Sequence, residues 1–109
     1  MIREVSVSEG LFQFIKSYIT DYYSLQLIIF FARHAYTKFS EVAITQALTR
    51  GVRRQYFQKA LMAFIQKGIV QIYITNNISL YSLNANIRDL VLELAELDMY
   101  QRQLLLKQN

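Results

Sequence analysis

The chain has 109 residues, enough for one domain and too few for two separate cores. Hydrophobic residues make up 53% of it, including seven Phe and eight Tyr; a small monomer cannot hide that much apolar surface, so a subunit interface is expected. Cysteine is absent, which excludes disulfides, thiol redox sensing and most structural zinc sites.

The net charge of +4 conceals an asymmetry. Arg33, Lys38, Arg50, Arg53, Arg54, Lys59 and Lys67 stand against Glu41 alone between positions 33 and 67, a local balance of +6. The remainder holds five basic and seven acidic residues. Concentrated positive charge of this kind is the electrostatic footprint expected of a nucleic-acid partner. The opening MIREVSVSEG lacks the apolar core of a signal peptide. The longest apolar run, Leu27–Ala32, falls far short of the roughly 20 residues of a membrane span. A soluble, cytoplasmic protein with no membrane association is expected.

Residues 1–7 alternate around Ile2, Val5 and Val7 and read as a short strand or an arm. Ser8 is an N-cap candidate for a first helix over 9–22, whose apolar face is Leu11, Phe14, Ile15, Tyr18, Ile19 and Tyr22. Residues 24–36 read as a second helix, apolar on nearly all sides and therefore central to the core. Ser40 with Glu41 marks the next helix start, because a hydroxyl caps free amides and a carboxylate suits the positive helix end. Ile44, Ala47 and Leu48 are expected to face inward from it.

A turn at Thr49-Arg50-Gly51 precedes a helix over 53–67, with apolar residues falling at Val52, Phe57, Leu61 and Phe64 as the buried stripe. Val70–Thr75 and Ile78–Leu83 form a hairpin closed by Asn76-Asn77, since Asn tolerates the positive φ of a two-residue turn. In that register Val70 faces Leu83 and Ile72 faces Tyr81, giving one buried side; Tyr73, Leu80 and Ile78 make the opposite side unusually apolar. Phe39 and its neighbours are placed to supply a further short strand. Asn84 or Asn86 caps a long final helix over 86–107, with Ile87, Leu90, Leu94, Leu97, Gln101 and Leu104 as a heptad seam. The expected organisation is a single domain over 1–109: an N-terminal helix at 8–22, a core at 24–83, and a C-terminal dimerisation helix at 84–107. The competing reading of the seam folds that helix back on its own core.

Residues 48–70 carry the functional signal. A turn glycine, a helix with one buried stripe and a Gly68-Ile69-Val70 exit into a strand make a helix-turn-helix. The outer face offers Arg53, Arg54, Gln55, Gln58 and Lys59, residue types that neutralise phosphates and read base edges. The segment resembles the winged helix-turn-helix regulators of the MarR, PadR and ArsR types. That resemblance implies a mainly α fold with a small antiparallel β-hairpin, extra helices at both ends, and a homodimer on double-stranded DNA. Arg50, Arg53, Arg54, Gln55, Tyr56, Gln58 and Lys59 are the candidate DNA contacts, with Tyr56 reading equally well as a packing residue. Asn76 and Asn77 are candidates to reach a phosphate from a hairpin that departs from the family in being short and uncharged.

His34, the lone histidine, reads as a helix-end residue, with no metal-ligating company nearby in sequence. Glu93, Glu96 and Asp98 read as a solvated helix face. No nucleophile–base pair, phosphate loop or metal motif is legible, so neither an enzyme nor a cofactor is expected; a small-molecule effector is left unspecified. The expected role is transcriptional regulation, most simply repression. A plasmid or phage partition or replication role shares the same chemistry. A protein-interaction module of a larger complex is the competing class.

Overall fold

The computed structural model describes residues 7–49, 53–98 and 101–102. Five helices and one hairpin follow in order: α1 (Glu9–Tyr18), α2 (Tyr22–Arg33), α3 (Glu41–Thr49), α4 (Arg54–Gln66), β1 (Val70–Thr75), β2 (Ile78–Leu83), a 3-10 turn (Ala85–Ile87) and α5 (Arg88–Ala95). The fold is therefore mainly α with a small antiparallel hairpin. Among the described residues, no helix is long and apolar enough to cross a membrane. The expected strand or arm over 1–7 lies outside the described residues except for Val7.

Three helices differ in their ends from the sequence expectation; the second stops at Arg33, with a turn over 34–36, rather than reaching 36. Ser8 caps α1 by accepting from the Leu11 N–H, but the helix stops at Tyr18 rather than at 22. Asp21 then opens α2 with a reciprocal capping box. Its carboxylate accepts from the Ser24 N–H at 2.8 Å, and the Ser24 hydroxyl accepts from the Asp21 N–H at 3.1 Å. The pair satisfies two otherwise orphaned amides, so the new helix starts at Tyr22. Tyr22 consequently leaves the apolar face of the first helix and is exposed.

A further correction concerns the final helix. The Asn84 side chain accepts from the Asn86 N–H and donates to the Gly68 carbonyl, starting a 3-10 turn instead of an α-helix. Helix α5 ends at Ala95. Asp98 then exchanges hydrogen bonds with Gln101 at 2.7 and 3.0 Å, a second start signal. A continuous helix over 86–107 is not formed.

The core is built around α2, in which Ser24, Leu25 and Leu27–Ala32 are buried. It packs most extensively on α5 and α4. Leu11, Phe14 and Ile15 enter from α1, and Phe57, Leu61 and Phe64 from α4. Val91 and Leu94 come from α5. The proposed intersubunit seam is thus largely an internal one. Leu94 is fully buried, and Ile87, Leu90 and Leu97 pack partly buried against the same cluster. Leu104 lies outside the described residues. Helix α1 comes so close to α5 that a Cβ on Gly10 would meet the Leu90 side chain at 3.2 Å.

Ser40 caps α3 as expected, its hydroxyl accepting from the Ala43 N–H. Ile44 is buried and Leu48 half-buried, whereas Ala47 is exposed. The inward position goes instead to Thr45, whose hydroxyl bonds back to the Glu41 and Val42 carbonyls and so enters the core satisfied. Helix α4 closes with the Ile69 N–H on the Phe64 carbonyl and the Gly68 N–H on that of Ile65. Gly68 has φ 77°, the left-handed turn that glycine permits without penalty.

The hairpin register agrees residue by residue with the expectation, from Val70 opposite Leu83 to Thr75 opposite Ile78. Asn76 and Asn77 both take positive φ, as this tight turn requires. Phe39 exchanges two backbone hydrogen bonds with Tyr81, supplying the short third pairing. The expected buried side is realised only at the base. Val70 and Leu83 are buried and Tyr81 is half-buried, but Ile72 is 45% exposed, because among the described residues no other layer covers the outer half of the hairpin.

Candidate nucleic-acid interface

Helix α4 lays its buried stripe inward at i, i+4 and i+7 (Phe57, Leu61, Phe64). Helical geometry then directs Gln55, Lys59, Met62 and Gln66 directly away from the core, and all four are exposed. This outermost ridge carries amide and ammonium groups. The chain has no acidic residue between Glu41 and Asp89, so no carboxylate of α4 or the hairpin opposes an anion approaching it.

The two arginines at the start of α4 occupy its flanks. Arg54 lies toward α3, with its guanidinium 3.8 Å from the Glu41 carboxylate. Arg53 donates to the Tyr23 hydroxyl at 3.3 Å. Both arginines are exposed, and exposed ties of this kind contribute about 0–1 kcal/mol, little enough to be exchanged for a phosphate. Arg53 also precedes the helix in the left-handed conformation, at φ 59°. A non-glycine residue pays roughly 1–2 kcal/mol for that backbone.

Tyr56 packs only in part. Its ring stacks on Tyr23 at 4.9 Å with an 18° interplanar angle, while about half its surface stays exposed. Gln58 is half-buried on the α3 side. Arg50 and Val52 lie outside the described residues. Asn76 and Asn77 sit exposed at the hairpin tip, remote in sequence from any charge.

Three groups absent from the sequence reading join the site. Tyr23 forms an aromatic bracket with Tyr56 and, edge-on, with Phe57. Gln66 and Met62 extend the exposed ridge. The last two were accessible from the helical period. Tyr23 was not, since it reaches Arg53 across thirty positions of sequence. A groove of about 390 Å³ opens between α4 and the α1–α2 corner, with Tyr18, Tyr23, Tyr56, Lys59 and Lys67 among its walls.

Other expectations resolve as structural details. His34 ends α2, its N–H bonding to the Phe31 carbonyl and its ring against Phe30 and Phe39. Glu93 is not a merely solvated carboxylate. It accepts from both the backbone N–H and the hydroxyl of Ser8, at 2.9 and 2.6 Å, and so ties the start of α1 to α5.

Comparison of the chain with protein-family models, curated proteins and solved structures finds no match.

Proposed function

We propose that this chain is a winged helix-turn-helix protein that binds double-stranded DNA sequence-specifically as a homodimer, acting as a transcriptional regulator, most simply a repressor. The observation that carries the reading is the exposed ridge of α4, where Gln55 and Lys59 project furthest from the core beside Arg53 and Arg54. Helices α2, α3 and α4, the Phe39–Tyr81 bridge and the hairpin follow in the order that such a domain requires. In this reading α4 enters the major groove. The arginines and Lys59 neutralise phosphates or pair with guanine, and Gln55 suits adenine. Repression follows from occupancy: two α4 helices in successive major grooves exclude whatever initiates there.

The uncharged hairpin favours a second reading, a protein-interaction module that uses the same frame without DNA. Tyr73, Ile74 and Ile78 are exposed where a minor-groove contact would call for Arg or Lys. The discriminating experiment incubates the purified full chain with fragmented genomic DNA and sequences the retained pool. Enrichment of a two-fold-related motif supports the first reading. A pool no different from the input contradicts it and leaves the interaction module.

A further inference from the structure

The free edge of β1 is the least defended surface of the molecule. From Gly68 to Ile87 the sequence contains neither a charged residue nor a proline. Sheet edges are ordinarily guarded by Lys, Pro or a bulge, because their unpaired N–H and C=O groups template further strand addition. None of these devices is present in Val70–Thr75, and its ladder with β2 is unbroken.

The pairing pattern shows which backbone groups are presented. Tyr81 faces Ile72 across the hairpin but directs its own N–H and C=O outward, to Phe39. Antiparallel ladders alternate, so Ile72 and Ile74 direct theirs to the opposite side, along the outer edge of β1. Among the described residues no backbone group bonds there. The two isoleucine side chains share one face and are 45% and 73% exposed. Beside the base of this edge runs a trough of about 530 Å³ lined by Ile65, Gly68, Val70, Gln71 and Tyr73.

We infer that this edge docks a second copy of the same chain, β1 pairing antiparallel with β1 to give a continuous four-stranded sheet. A strand edge of this kind is self-complementary across a two-fold axis. With the axis at Tyr73, Ile72 stands opposite Ile74 of the partner subunit, and Ile74 opposite the partner's Ile72. Four isoleucines then gather on one face, and the partner's hairpin tip comes to lie over the trough. Charge selects the same occupant. Each copy carries a net +4, so two copies meet most readily through a strand that carries no charge of its own and on whose isoleucine face none stands, the nearby Lys38 ammonium lying over the Tyr73 ring, on the other face; an acidic partner would gain little from it. The inference does not rest on DNA binding and stands whether or not the chain binds any.

Sedimentation of the full chain, alone, tests it. The wild type is expected to be a dimer, and Ile72→Lys/Ile74→Lys a monomer with unchanged helical circular dichroism, since like charges then face each other at two opposed positions. A monomeric wild type, or a double variant that stays dimeric, overturns the proposal. Should the double variant fail to fold, Tyr73→Cys decides. The chain has no other cysteine, and two copies of this residue across the axis are close enough for a disulfide. Covalent dimer under mild oxidation supports the edge pairing, and its absence, with Thr37→Cys as the exposed control, overturns it.

Discussion

In α2 the side chains of Leu25 and of Leu27–Ala32 are buried, whereas in the hairpin Ile74 and Ile78 are 73% and 56% exposed. Both segments are rich in β-branched and aromatic residues and poor in charge. The difference lies in the neighbours. Helix α2 is covered by α3, α4, α5 and the base of β2, but the hairpin meets the rest of the molecule at its root and along one side, through Phe39 on Tyr81 and Lys38 over Tyr73, and its outer half is uncovered. Apolar composition therefore says that a segment seeks cover, and the surrounding layers decide whether it finds it within the subunit. The cover still owed to the hairpin is what a second chain can supply.

Substitutions in the two regions should separate accordingly. Phe31→Ala removes a fully buried ring from α2 and should cost about 3–5 kcal/mol in urea unfolding, a large share of a domain's stability. Leu94→Ala should cost about 2–5 kcal/mol, because Leu94 belongs to the same core. The loss should persist at protein concentrations low enough to dissociate any dimer. A variant that folded normally and lost only association would restore Leu94 to an intersubunit seam. Glu93→Gln weakens the acceptor shared by the Ser8 amide and hydroxyl and should cost about 1 kcal/mol, with faster amide exchange at the start of α1. At the other extreme, Ile74→Lys should shift the folding free energy of the isolated subunit by no more than about 0.5 kcal/mol. A large loss there would mean that the hairpin is covered within the subunit after all.

The same contrast explains what was legible in the sequence. The hairpin could be read to the residue, because Asn76-Asn77 dictates the turn and a two-residue turn dictates the register. The centrality of α2 could be read because a helix apolar on every side has no face left for solvent. The overlong first and last helices share one cause. The seam spacing runs on through Tyr18, Ile19 and Tyr22, and again through Leu94, Leu97 and Gln101, although Tyr22 is exposed and Leu97 is the last of these to pack on the core. Periodicity cannot see such a break, but the caps can. Asp21 with Ser24, and Asp98 with Gln101, are the polar pairs three residues apart that stop one helix and start the next.

Within the candidate interface, residue types were legible and their positions were not. Gln55 and Lys59 project as the helical period requires. The engagements of Arg53 with Tyr23 and of Arg54 with Glu41 are long-range tertiary contacts or cross-helix pairs that no local pattern encodes.

The claim on which the functional account stands is that α4 binds DNA through its basic, acid-free surface. Its most direct test is fluorescence anisotropy over a series of salt concentrations, using a duplex recovered from the genomic selection and comparing wild type with Arg53→Ala/Arg54→Ala. If a dimer neutralises about six phosphates, log K should fall against log salt with a slope of roughly −5. The double variant should lose most of the affinity while keeping its helical circular dichroism. Binding that ignores salt, or a folded double variant that binds as tightly as the wild type, would contradict the account.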